Sequence, residues 1–215
     1  MKLRAILILI SSSLIMLGGC ATSRSVIDVP PPNAQAAEQK TDKEVFVASV
    51  TDRRSFKIAP DSPSIPSLDP DESQDDKIKA RAVGRKRNTW GKALGDILLK
   101  EDQTVEMLMT NAIRQAFAEQ GYRLVERKED ATQDTLLVKA NVDKFWSWMN
   151  PGFAALTLST EISTRLALES PNGKANKNVY IKSSGEYQTG MEENWIEVIN
   201  MALRAYIDEL KGKLE

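Results

Sequence analysis

The chain has 215 residues, 41% hydrophobic, 27% charged and only 6% aromatic, with a formal net charge of −1. That is room for one globular domain with a sizeable core plus flanking segments, and the charge is too balanced for a dedicated nucleic-acid binder. The absence of histidine excludes Ser-His-Asp and Cys-His catalysis and His-containing zinc sites, and a single cysteine excludes an intrachain disulfide or a thiolate cluster.

Met1–Cys20 has three zones: a basic start at Lys2 and Arg4, an apolar run from Ala5 to Leu17 softened by Ser11, Ser12 and Ser13, and then Gly18-Gly19-Cys20. The run falls short of the ~20 residues that span a bilayer, so residues 1–19 read as a secretory signal. Leu17-Gly18-Gly19-Cys20 resembles the lipobox of bacterial lipoproteins. The resemblance implies cleavage between Gly19 and Cys20, a diacylglycerol thioether on the Cys20 sulfur, and acylation of the new amino terminus, with palmitate as a typical chain. Ala21 follows, where an aspartate would retain a lipoprotein in the inner membrane. The expected address in a Gram-negative cell is therefore the outer membrane, with the body on its periplasmic face. Cleavage removes two of the 29 basic residues and none of the 30 acidic ones, so the formal charge falls from −1 to −3. That mild acidity implies no polyanionic partner.

Residues 20–43, with Pro30-Pro31-Pro32, show no helical or strand period and read as a flexible tether from Cys20. Its root-mean-square reach as a coil would be about 25–30 Å. Residues 44–215 read as a single domain. Glu44–Val50 is apolar on both faces and predicts an interior strand. Residues 51–90 then read as a long charged loop, with an acidic patch around Asp69–Asp76 and a basic run ending in Arg85-Lys86-Arg87.

The clearest helix covers Val105 to Phe117, where Val105, Leu108, Met109, Ala112, Ile113, Ala116 and Phe117 recur at three- and four-residue steps. Asp102 is the expected cap and Gly121 the stop. Tyr122–Val125 predicts a short strand. From Thr135 the period becomes two: Leu136, Val138, Ala140 and Val142 share a face until Lys144 breaks the phase, which points to a bulge. Asn150-Pro151-Gly152 and Pro171-Asn172-Gly173 carry turn chemistry between three successive strands. A last helix begins near Met191 with Thr189 and Glu192 at capping-box spacing, and Trp195, Val198, Ile199, Ala202, Leu203, Tyr206 and Leu210 line one side. The fold expected is α+β: a two-layer sandwich of a mostly antiparallel sheet of about four to five strands, with two amphipathic helices on one face.

Asp52-Arg53, then Gly84-x-x-Arg87-Asn88-x-x-Gly91, the long helix and Gly121-Tyr122 are similar to the YajG-type bacterial lipoproteins, over about residues 44–210. That resemblance implies an outer-membrane lipoprotein and no known activity. The two-helices-on-a-sheet plan is also similar to envelope assembly and transport auxiliary lipoproteins.

Two groups are candidates for binding. Trp146, Trp148 and Phe153 flank the Asn150-Pro151-Gly152 turn and could anchor a partner or a membrane surface. The parity of Trp146 and Trp148 with Leu136 and Val138 favours core packing under a helix instead. Arg85, Lys86 and Arg87 suit phosphate or carboxylate recognition, but without a glycine-rich cradle a solvated loop is the simpler reading. Nothing brings Asp52, Glu161 or Glu186 together as an acid-base pair, so no catalytic residue, metal site or cofactor is expected. The leading expectation is a membrane-anchored, non-enzymatic periplasmic module that binds an envelope protein and supports a larger assembly. The alternative is a lipid or glycan carrier or sensor that uses the sheet face or the aromatic hairpin.

Overall fold

The computed structural model describes residues 23–32 and 42–214; the signal stretch, Gly19 and Cys20 lie outside them. Within the described residues, eight strands form one mixed sheet: β1 (Ser25–Ile27), β2 (Glu44–Asp52), β3 (Ala82–Arg87), β4 (Ala93–Leu99), β5 (Arg123–Leu124), β6 (Leu136–Pro151), β7 (Leu156–Ser170) and β8 (Gly173–Tyr187). Three α-helices accompany it: α1 (Asp76–Arg81), α2 (Val105–Glu119) and α3 (Glu192–Leu214).

The long strand β6 organises the sheet. On one side it starts the β6–β7–β8 meander, antiparallel as hairpin-length turns require. On the other side its first half pairs in parallel with β2, from Val45↔Leu136 to Asp52↔Val142. Its second half pairs in parallel with β3, at Gly84↔Ser147 and Arg85↔Trp148, and β3 leads on to β4 and β1. Four of the seven pairings are parallel. The expectation of four to five mostly antiparallel strands is therefore corrected: it captured the meander and β2 but missed β1, β3 and β4.

The helices formed where their stripes placed them. Every residue named in the α2 stripe is buried, as is every residue named in the α3 stripe, and they share one core with Val138, Ala140, Val142, Leu158, Ile162 and Leu166 of the sheet. Thr104 rather than Asp102 caps α2, its side chain accepting from the Met107 N–H at 3.2 Å. Gly121 closes the helix with φ +84°, a conformation that favours glycine. In α3, the Tyr206 hydroxyl meets Thr164 Oγ1 at 2.9 Å inside the core. Burial pushes this phenol well above its ordinary value, with Thr164 pulling more weakly the other way. Above pH 10 the unfolded chain ionises at Tyr206 while the native chain does not, so stability falls as pH rises. The slope from this group is about 1.4 kcal/mol per pH unit. Tyr206→Phe should remove that increment from the pH 9–11 slope, measured as urea unfolding free energies of the two proteins.

The phase break at Lys144 is a β-bulge, with the register shifting between Val142 and Lys144 against β7. It inverts the parity of everything after it. Phe145 now joins the helix-side core, and Trp146 and Trp148 turn to the opposite face. They are buried there, on the face away from the two long helices. Residues 53–81 cross that face as a strap, and Leu68, Phe56 and Ile78 pack with both tryptophans, Ala82 and Leu98. Phe56 meets Trp146 edge-on at 5.9 Å, and the Trp146 indole N–H donates to the Pro63 carbonyl at 3.1 Å.

One arginine pins the strap. The Arg54 side chain is fully buried; it grips Asp52 through Nε and Nη2 and donates to the carbonyls of Ala82, Phe145 and Lys79. Two neighbouring strands and α1 thereby converge on a single guanidinium. The presumed 51–90 loop is thus the end of β2, a pinned strap, α1, β3 and a turn.

Candidate functional site

Arg85, Lys86 and Arg87 are not a solvated loop. All three lie on β3 and are buried. Alternation along the strand sends Arg85 and Arg87 toward the strap and Lys86 to the other side. Arg85 pairs with Asp69 of the strap, and its Nε lies 3.2 Å from Asp96 of β4. Arg24, just before β1, pairs with Asp96 at 3.2 Å and with Glu72 at 2.5 Å. Arg87 donates to Ser67 Oγ and to the Gly91 carbonyl, both at 2.8 Å.

Three guanidinium groups and three carboxylates make a formally neutral cluster between β3, β4 and the strap. Burial raises the Asp96 carboxyl above the usual range, against the opposing pull of Arg85 and Arg24. Desolvation, then repulsion from Arg85, lowers Arg87. Oxygens of Asp69, Glu72 and Asp96 lie within 4.8 Å of one another, close enough for a cation, but Arg24 and Arg85 already supply the positive charge there. The cluster is an internal lock. On the other side of β3, Lys86 donates to Ser25 Oγ at 2.9 Å and to the Ser23 carbonyl at 3.2 Å.

Among the described residues of the stretch read as a tether, 20–43, Ser25–Val29 pack against the body. Ser25, Ile27 and Val29 are buried, with β1 paired to β4 and the Gln103 side chain bonded to both the N–H and the carbonyl of Val29. Three residues are too few for a strand period to show in the sequence.

The turn after β3 gives the Gly84-x-x-Arg87-Asn88-x-x-Gly91 pattern a structural meaning. A Cβ on Gly84 would stand 2.7 Å from the Ser147 carbonyl oxygen, so glycine permits the close β3–β6 approach. Asn88 Oδ1 accepts from the N–H groups of Trp90 and Lys92, and Gly91 takes φ +77°. The turn so built holds Trp90 out, 88% exposed. The β6–β7 turn, closed by the Gly152 N–H to the Ala155 carbonyl, does the same for Phe153. β3 and β6 run parallel, so both turns lie at one edge of the sheet, and a cleft of about 460 Å³ between them is lined by Trp90, Gly91, Met149 and Asn150.

Of the six candidate binding residues, Phe153 alone is exposed; Trp146, Trp148, Arg85, Lys86 and Arg87 are internal, and Cys20 and Gly19 lie outside the described residues. With both tryptophans buried, Phe153 is the one exposed aromatic of that hairpin. Trp90 was missed as a site residue. The turn-forming Asn88 and Gly91 beside it were only a hint, because Ala93 and Leu94 stand at helical spacing from it. Of the three carboxylates considered for acid-base work, Asp52 is engaged with Arg54 and Glu161 with Lys144, while Glu186 is exposed on β8. Arg53, paired with Asp52 in the sequence pattern, is exposed, and the working partner is Arg54.

A mixed sheet backed by two long helices, with a pinned strap over part of its other face, defines an α+β domain. The chain belongs to a family of uncharacterised lipoproteins, the YajG type, whose pattern matches residues 73–211. That span includes Gly84 to Gly91 but not Asp52-Arg53. No curated protein matches the chain. Among solved structures, an uncharacterised protein is similar over 90% of this chain and 99% of its own, with a TM-score of 0.51 and 10% identity. A protein from Xanthomonas campestris is similar over 90% and 93%, with a TM-score of 0.44 and 15% identity. The first is a likeness of fold and transfers no activity.

Proposed function

We propose that the protein is an outer-membrane lipoprotein, cleaved after Gly19 and acylated at Cys20, whose periplasmic body works without catalysis by binding an envelope protein within a larger assembly. The observation that carries this reading is strand β8. It is 15 residues long and, among the described residues, pairs only with β7. α3 backs one of its faces, whereas Asn178, Tyr180, Lys182, Ser184 and Glu186 leave the other open to solvent. A long strand with a free edge is a template for an added strand from a partner, and alternate side chains supply the selectivity.

The test is a photo-crosslinking amino acid placed at Asn178, Tyr180 and Ser184 in living cells. The expected result is one reproducible envelope-protein adduct, absent when the same probe replaces Arg53, an exposed residue on the strap. No adduct at any of the three β8 positions would overturn the reading.

A further inference from the structure

The amino terminus leaves the sheet at the edge where Trp90 and Phe153 stand. β1 runs parallel to β4, from Ser25↔Ile97 to Ile27↔Leu99, and β4 begins at Ala93, directly after the Trp90 turn. The start of β1 therefore points to the turn edge. Ser23 is pressed against Gly95, where a Cβ would stand 2.4 Å from the Ser23 carbonyl oxygen, and Lys86 bonds that same carbonyl. Arg24 is tied to Asp96 and Glu72. The exit point is thus fixed to the sheet. Only Ala21 and Thr22 separate Ser23 from Cys20, at most about 11 Å of chain.

We infer that this edge rests on the membrane: with the acyl chains of Cys20 in the bilayer, the sheet stands end-on and Trp90 and Phe153 enter the headgroup region. This rests on the acylation of Cys20 proposed above. A lipid surface fits the edge chemically. Trp90 and Phe153 are the two most exposed large hydrophobic side chains of the described residues, at 88% and 109%. Met191 is 58% exposed beside the end of β8, which pairs Tyr187 with Leu156 at the same edge. The residues of the two turns, 88–92 and 152–155, include no carboxylate; Asp61 lines the cleft between them, and Lys92 adds a positive charge suited to anionic headgroups. Aromatic side chains on short ordered turns favour the polar–apolar boundary of a bilayer. Residues 28–43 of the stretch read as a tether follow β1, so they add nothing to the distance between lipid and body.

Tryptophan emission reads this directly, because Trp146, Trp148 and Trp195 are buried and Trp90 is the fourth and last tryptophan. The full mature protein is purified in detergent, its acylation is checked by intact mass, and it is reconstituted into phosphatidylethanolamine–phosphatidylglycerol vesicles with or without dibrominated acyl chains. The expected result is quenching and a blue shift in the wild type, stronger for bromines near the headgroup than for bromines near the bilayer centre. Trp90→Phe should abolish both effects, and adding Phe153→Trp to that variant should restore them. Acylated protein whose quenching is absent, or is unchanged by Trp90→Phe, would overturn the membrane edge and leave the lipoprotein reading standing. Protection of Trp90 only on adding an envelope protein would also overturn it, in favour of a protein-binding edge. An unacylated mass would overturn both readings.

Discussion

Trp146→Ala is expected to destabilise the domain by about 3–5 kcal/mol, the range for a large aromatic removed from a core. The indole is fully buried, stacks edge-on with Phe56 and donates to the Pro63 carbonyl, so the truncation removes packing and also strands an acceptor of the strap. Its neighbours Leu68, Trp148 and Leu98 belong to a small cluster separate from the main core, with little else to fill the space. Residues 53–81 should loosen first, becoming cleavable by trypsin at Arg53 and Lys57 in protein that is otherwise folded. Urea unfolding and limited proteolysis measure the two effects. A Trp146→Ala variant of unchanged stability would mean that the strap does not cover this face.

Asp96→Ala should cost a comparable amount, about 3–5 kcal/mol, because breaking a buried ion pair leaves the partner charge uncompensated. Asp96 faces Arg85 within the sheet and Arg24 from the amino-terminal segment, and both its side chain and that of Arg85 are nearly inaccessible to water. Among the described residues, Asp69, which is exposed, is the only other carboxylate paired with Arg85. Asp96→Asn, which keeps shape and hydrogen-bonding capacity, should lose markedly less. The alanine variant should also free Arg24 and raise hydrogen exchange in residues 24–27, a readout that separates this lock from a general loss of stability.

What the sequence disclosed divides along physical lines. α2, α3, β6, β7 and β8 were legible because each presents one apolar face long enough for its period to emerge from the polar background. The bulge was visible as a broken phase at Lys144, but its consequence, the inversion that sends Trp146 and Trp148 to the strap side, depends on knowing that both faces are covered. β3 was illegible for a different reason. Arg85, Lys86 and Arg87 look like a solvated run because their carboxylate and carbonyl partners come from Asp69, Asp96, Ser23 and Gly91, brought together only by the fold. β1 is simply too short to show. Trp90 and Phe153 mark the other limit, since exposure is a property of tertiary structure and no local pattern distinguishes an exposed aromatic from a buried one.

The functional account depends most on the sulfur of Cys20, and intact-mass analysis of the protein extracted from membranes tests it most directly. The account predicts a mature chain beginning at Cys20, heavier than its polypeptide by one diacylglyceryl group and one amide-linked acyl chain. A chain still beginning at Met1 with a free thiol would contradict it.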